Sequence, residues 1–228
     1  MPELWLLIDA DDTLWENNIY FESAFDEFVN LLNHSHLSKS QIRKIFDGIE
    51  SVNIKTHGYG AENFGRNMQQ CYRHLVEREW NEENLNALMA TAHRIREHPI
   101  ELLKGVERTL AYLAEFHHLT LYSKGQPKEQ NDKIERSELK QYFQSCHIVE
   151  EKGVNGYRDL LAKSVHSPEK TWMIGNSPKS DINPALKAGL GAVLIPHQNT
   201  WSLEHEPLLQ KAERLHIVHS FEELRLLF

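Results

Sequence analysis

Two hydrophobic rhythms alternate along this chain. Short unbroken apolar runs occur at Leu4-Trp5-Leu6-Leu7-Ile8, Leu119 to Tyr122, Ile148-Val149, Thr171 to Ile174 and Ala192 to Ile195. Continuous rather than alternating runs of this length predict strands covered on both faces. Between the first run and the second, apolar residues instead recur at spacings of three and four. Ile42, Ile45, Phe46 and Ile49 form one such stripe, Phe64, Met68, Cys71, Tyr72 and Leu75 a second, and Leu85, Leu88, Met89, Ala92 and Ile95 a third. Each predicts an amphipathic helix. Ser38 and Gln41, with Leu37 and Ile42 around them, have the spacing of a capping box with a hydrophobic staple, so a helix is expected to start at Lys39. Asn81 reads as the N-cap of the third stripe. With Ile19 to Leu32, four helices are expected before the second strand.

After residue 100 the elements alternate. Helices are expected over Val106 to Phe116, from the second strand through Phe143, over Tyr157 to Ser164 and over Asp181 to Ala188, followed by a short final strand and helix. Strands alternating with helices predict an α/β fold on a parallel sheet. The helical stretch reads as an insertion, giving a core of residues 1–16 and 100–228 and a helical domain of residues 17–99.

Polar clusters stand where the predicted strands stop. Asp9-Ala10-Asp11-Asp12-Thr13 follows the first, Ser123 the second, Lys152 the third, and Gly175-Asn176-Ser177 with Asp181 the fourth. The carboxyl ends of strands in open parallel sheets are where ligands bind, so the four can converge. Asp9 and Asp11 point to one side of an extended chain, where their charges repel unless a cation or shared proton compensates. The bland alternative for each is local: helix-capping Asp residues, a turn Ser before Gly125, a solvated Lys152, and Asp181 as an N-cap.

In that order, DADDTL at Asp9 to Leu14, Ser123, Lys152 and GNSPKSD at Gly175 to Asp181 resemble the four signature motifs of the haloacid dehalogenase-like hydrolases. The resemblance spans nearly the whole chain. It implies a Rossmann-like core with a mainly helical cap between the first two motifs, and a magnesium-dependent phosphatase working through an aspartyl-phosphate. Carried onto this sequence, it makes Asp9 the nucleophile, which can form a mixed anhydride with phosphate. Asp11 becomes general acid and then general base. Thr13 hydrogen-bonds around the nucleophile, Ser123 holds phosphate oxygens, and Lys152 balances the transferring phosphoryl charge. Asp9, the carbonyl of Asp11, Asn176 and Asp181 would close an oxygen-ligand Mg²⁺ site. Two departures stand out. Asn176 replaces the Asp of many relatives, removing one formal charge, and Lys124-Gly125 follows Ser123 where a small polar residue is usual. In haloacid dehalogenases proper the position of Asp11 is not Asp, which disfavours carbon–halogen cleavage. A phosphomutase would keep the same motifs, and a phosphate-binding module that has lost turnover is the reading outside enzymes. A signalling receiver domain shares an Asp, a hydroxyl and a Lys but lacks the inserted helices.

The glycine-rich joint from Asn53 to Arg66 nominates His57, Tyr59 and Arg66 as substrate contacts, alongside Lys124. Trp15, Asn17 and Tyr20 could line the same cleft, or, for the two aromatics, belong to the core.

Composition narrows the rest. The 228 residues carry a net charge of −8, which argues against a nucleic-acid surface and leaves a small phosphorylated metabolite such as a nucleotide, sugar phosphate or phosphoglycolate as the expected partner. With no apolar run of membrane length and no signal-like start, the expected location is the cytoplasm. Cys71 and Cys146 lack metal spacing and read as buried thiols. Of the 14 His residues, His34/His36 and His117/His118 flank turns rather than forming a helical i, i+4 ligand pair, and they are expected to be mostly solvated.

Overall fold

The computed structural model describes residues 3–209 and 213–228. The chain forms two compact units, one built from the residues up to Asn18 together with Ile100–Phe228, the other from Ile19–Pro99. Among the described residues no helix is long and apolar enough to cross a membrane.

The first unit is built on six parallel strands: β1 Trp5–Ile8, β2 His118–Lys124, β3 Ser145–Val149, β4 Thr171–Gly175, β5 Gly191–Leu194 and β6 Leu215–Ile217. Their order across the sheet is β3-β2-β1-β4-β5-β6. The chain therefore builds outward from β1 on one side and then returns to its other side at β4. That reversal opens a crevice at the carboxyl ends of β1 and β4, where doubly wound sheets bind ligands.

Every residue of β1 is buried, and the strand explains its own unbroken apolar run. Leu6 and Ile8 face Leu110, Leu113, Ile134, Phe221 and Leu224 on one side of the sheet. Trp5 and Leu7 face Tyr157, Ala185 and Leu190 on the other. Alternate residues thus meet different layers, as the strand period of two requires, and each side chain gains about 1.5–3 kcal/mol from burial. The helices of these layers are α5 Val106–Ala114, α6 Pro127–Arg136, α7 Val154–Ala162 and α8 Asn183–Lys187.

The second unit holds α2 Lys39–His57, α3 Ala61–Leu75 and α4 Glu82–Glu97, with α1 Asn18–Leu32 leading into it. Its own core joins Phe25, Phe28, Ile42, Phe46, Phe64, Met68, Tyr72 and Leu88. The capping box closes as expected: Ser38 accepts from the Gln41 N–H, and the Gln41 side chain accepts from the Ser38 N–H at 2.9 Å. Asn81 caps α4 through the Asn84 N–H at 2.8 Å.

Five local expectations are corrected. The helix after the fourth strand does not begin at Asp181. The chain first makes a wide turn over Pro178–Ile182, with the Ile182 N–H reaching the Ser177 carbonyl at 3.1 Å, and Ser177 rather than Asp181 supplies the capping side chain. The helix after β2 stops at Arg136, where the Ser137 hydroxyl donates to the Ile134 carbonyl and Glu138 turns to φ 59°; a short 3-10 turn at Lys140–Tyr142 follows. The final helix is a 3-10 turn, Phe221–Leu226. His117 is buried, its Nδ1 accepting from the Leu4 N–H at 3.4 Å. Cys71 is a buried thiol, while Cys146 is half-buried, and both are free.

Candidate active site

Asp9 is the first residue beyond β1, and its N–H still pairs with the Ile174 carbonyl of β4 at 2.9 Å. The ladder thus places its carboxylate at the crevice. A tight loop then folds back on it. The N–H groups of Thr13 and Leu14 both reach the Ala10 carbonyl, and Asp12 takes the left-handed conformation at φ 58°. This loop turns the Thr13 hydroxyl onto Asp9 Oδ2 at 2.9 Å. Lys152 Nζ donates to the other oxygen, Oδ1, at 2.5 Å.

Lys152 is buried and holds a second carboxylate, Asp181 Oδ1, at 2.8 Å. The bland reading of Lys152 as a solvated charge does not survive. Burial works against its ammonium, but Asp181 and Asp9 outweigh that and hold it above its ordinary value. Asp181 is fixed from the other side by the Ser177 N–H on Oδ2 at 3.0 Å. Burial pushes its carboxyl up, Lys152 pulls it down and Asp9 pushes it up again, leaving it raised above its ordinary value. Gly175 makes this possible, because a Cβ there would collide with the Asp181 carboxylate. The Tyr157 hydroxyl donates to the Ser180 carbonyl at 3.0 Å and ties the same turn to α7.

Two buried carboxylates sharing one ammonium leave surplus negative charge, which a cation would relieve. Asn176 lies beside them after β4, buried, its amide nitrogen donating to Thr200 Oγ1 at 3.3 Å. The other end of that amide is an oxygen. Asp9, Asp181 and Asn176 are therefore hard oxygen donors of the kind Mg²⁺ takes, and the donor chemistry fits.

Asp11 is turned into a different set of contacts. Lys133 Nζ donates to both its oxygens at 3.0 Å, Gln130 Nε2 to Oδ2 at 2.8 Å and Trp15 Nε1 to Oδ1 at 2.8 Å. Burial alone would raise this carboxyl, but Lys133, Gln130 and Trp15 together hold it below its ordinary value. Trp15 is thus both core and site, and Asn17 joins through its Oδ1, which accepts from Lys133 at 2.8 Å.

Ser123 is buried within β2, one residue before its end. Lys124 does not stand open to a ligand: its Nζ donates to Glu204 at 2.6 Å and to Ser180 at 3.0 Å. Glu204 also accepts from the Ser177 hydroxyl at 2.5 Å. Burial would raise its carboxyl, but Lys124, Ser177 and Ser180 keep it lowered. In the helical unit, His57 ends α2, Tyr59 sits in the joint to α3, and Arg66 is exposed on α3, paired with Glu62 at 2.6 Å. Tyr20 stacks on His98 within that unit, ring centroids 3.8 Å apart.

Among the described residues, the one group of three His, Cys, Asp or Glu ligand atoms close enough for a metal is Asp12, Glu16 and His197. His197 Nδ1 accepts from the Asn199 N–H at 3.3 Å, which places the neutral ring's proton on Nε2, 3.3 Å from Glu16. In that tautomer the ring has one N–H, facing Glu16, while Nδ1, 3.8 Å from Asp12, has no proton to give.

Sequence reasoning missed Gln130, Lys133, Glu204 and His197. A signal existed for the first two: α6 carries Ile134 as its only aliphatic residue besides Pro127, yet it packs against the sheet, so its polar side chains had to be buried.

A model of the family described as haloacid dehalogenase-like hydrolases matches residues 30–195. No curated protein matches the chain. Among solved structures, a haloacid dehalogenase-like hydrolase from Xanthomonas campestris superposes with a TM-score of 0.84 at 24% identity, covering 99% of this chain and 96% of that one. YfnB of Bacillus subtilis, a putative hydrolase of the same family bound to magnesium, gives 0.67 at 18%, covering 100% and 99%. L-2-haloacid dehalogenase from Xanthobacter autotrophicus gives 0.65 at 13%, covering 99% and 98%. A predicted phosphoglycolate phosphatase from Haemophilus somnus is also among the matches. These likenesses share the six-stranded architecture, and the family match covers most of the chain: this protein belongs to the haloacid dehalogenase-like hydrolases.

Proposed function

We propose that the chain is a magnesium-dependent phosphomonoester hydrolase that acts on a small phosphorylated metabolite through an aspartyl-phosphate on Asp9. The observation that carries this reading over carbon–halogen cleavage is Asp11: a second carboxyl two residues beyond the nucleophile, set in a cage of donors.

The chemistry divides between the two. With Thr13 on one oxygen and Lys152 on the other, Asp9 is fixed in orientation. It attacks phosphorus, the bond from phosphorus to the leaving oxygen breaks, and Asp11 gives that oxygen its proton. An arriving phosphate raises the proton affinity of Asp11, because like charge disfavours the ionised form, so Asp11 takes up a proton with the substrate and releases it when phosphate leaves. Water then attacks the phosphorus of the aspartyl-phosphate and yields its proton to Asp11. The bond to Asp9 breaks, inorganic phosphate departs, and both carboxyls return to their starting states. Lys152 stabilises the equatorial phosphoryl oxygens, with Ser123 and neighbouring amides as further donors. Asp9, Asn176, Asp181 and the Asp11 carbonyl would hold Mg²⁺, which supplies positive charge to the transferring group. The helical unit, as a cap, would supply the leaving-group contacts, His57, Tyr59 and Arg66 among them. The two free thiols suit a reducing, cytoplasmic setting.

Phosphate release from a panel of phosphorylated metabolites, with Mg²⁺ and with chelator, tests the reading. Metal-dependent release is expected, with Asp9→Asn reducing it by at least about 10³-fold. Halide release from 2-haloacids without any phosphate release would overturn it, and isomerised product in place of phosphate would move it to a mutase.

A further inference from the structure

Asp11 is met from α6 by two side chains that no signature motif contains. Lys133 and Gln130 lie three residues apart, on one face of that helix, and both are buried. Lys133 spends its three N–H bonds on Asp11 Oδ1, Asp11 Oδ2 and Asn17 Oδ1, at 3.0, 3.0 and 2.8 Å. Gln130 adds a bond to Asp11 Oδ2 at 2.8 Å and a second, to the Lys124 carbonyl, at 3.3 Å. Gly125 leaves the room for this. It has φ +151°, and a Cβ there would lie 2.7 Å from Gln130 Nε2 and 3.0 Å from its Cγ. The departure at Lys124-Gly125 thus has a physical use: it lets Gln130 pass the strand end and reach the second Asp.

A buried Lys on a helix this poor in apolar residues is costly unless its charge is matched. The closest match is made at the Asp11 oxygen pair, with Glu129 Oε1 farther off at 3.9 Å, so the rotamer of Asp11 is set by contacts from both sides, Trp15 on its own loop and Lys133 with Gln130 on α6. We propose that Lys133, assisted by Gln130, is a positioning residue that holds the Asp11 carboxyl where it exchanges a proton with the leaving oxygen. The proposal rests on the phosphatase reading.

The leaving group separates positioning from simple structural support. An alkyl phosphate needs a proton on its departing oxygen, whereas p-nitrophenolate leaves without one. Lys133→Met is therefore expected to lower kcat/KM for an alkyl phosphate at least about tenfold more than for p-nitrophenyl phosphate, general acid catalysis being worth roughly 10²–10⁴-fold. Lys133→Arg, which keeps charged donors, should restore part of the difference. Gln130→Leu keeps the ion pair and serves if the Met variant does not fold; it should show the same selective loss, smaller in size. Equal losses on the two esters, or no loss on either, would overturn the assignment. If the unaltered protein releases phosphate from neither ester, the phosphatase reading fails and the role of Lys133 falls with it.

Discussion

Asp12 shows how a site residue can carry a cost of its own. It is buried in the left-handed conformation, its oxygens accepting from the N–H groups of Asn17 and Asn18 at 2.9 and 3.0 Å. Burial pushes its carboxyl up, the Asn18 N–H pulls it back, and Asp11 and Asp9 add to the push, leaving it at about 7. In the unfolded chain the same group ionises near 3.8. Between those values the folded protein keeps a proton that the unfolded chain has released, so this group's contribution to stability falls as pH rises from about 4 to about 7 and is constant above. Asn tolerates the left-handed conformation and never ionises. Asp12→Asn is therefore expected to gain stability relative to the native protein across that window, by about 2–4 kcal/mol. Urea unfolding near pH 4.5 and pH 7.5, without divalent cation, measures the difference; a gap that does not change with pH would contradict the burial argument.

At the scale of the element, the end of β4 and the turn after it form one unit. Gly175 lets the Asp181 carboxylate lie against the strand, the wide Pro178–Ile182 turn brings Asp181 round to Lys152, and Ser177 closes the turn. Gly175→Ala has no flexible neighbour to displace, because Asp181 is held on both oxygens. A destabilisation of about 1–3 kcal/mol is expected, along with loss of phosphate release, since the carboxylate that shares Lys152 with Asp9 must move. Native-like activity in this variant would mean that Asp181 is not needed where it lies. The same turn marks how far the sequence could be read. Strand ends follow from apolar runs, so the polar clusters after them could be found by position, and the resemblance to the family's motifs singled out Asp9, Ser123, Lys152 and Gly175 to Asp181 among them. The turn could not, because hydrogen bonds from residue to residue plus five leave no mark in hydrophobic period. Nor could the partners that arrive through tertiary closure: Glu204 meets Lys124 from 80 residues away, and Lys133 meets Asp11 from 122. The burial of His117 has a related cause, since it comes from contacts with Leu4 and Phe228, not with its neighbours in sequence.

Over the whole molecule, the insertion is joined to the sheet unit by two chain crossings that are tied to each other. The Glu16 N–H donates to the Glu101 carbonyl at 2.9 Å, the Leu103 N–H donates to the Leu14 carbonyl at 2.9 Å, and Trp15 pairs with Leu102 between them. These bonds belong to the sheet unit and close it without any residue of 19–99. Each unit also has its own core: among the described residues, the clusters around Leu6, Ile8, Leu110 and Leu224 and around Trp5, Leu7 and Met173 contain no residue of 19–99, and the cluster around Phe25, Phe46, Phe64 and Tyr72 contains no residue outside it. Insertions with adjacent ends and separate cores can be removed at the cost of a short loop closure, since closure entropy grows only slowly with length. Replacing residues 19–99 by a short Gly/Ser linker is therefore expected to leave a cooperatively folded α/β protein, and residues 19–99 alone to give a helical one. Circular dichroism with thermal unfolding of both pieces tests this, and an unfolded sheet piece would show that the insertion carries part of its stability. The sheet piece retains Asp9, Asp11, Lys133, Lys152 and Asp181. If the helical unit supplies only leaving-group contacts, that piece should still hydrolyse p-nitrophenyl phosphate while losing discrimination among metabolites. Retained discrimination would place specificity in the strand-end loops instead.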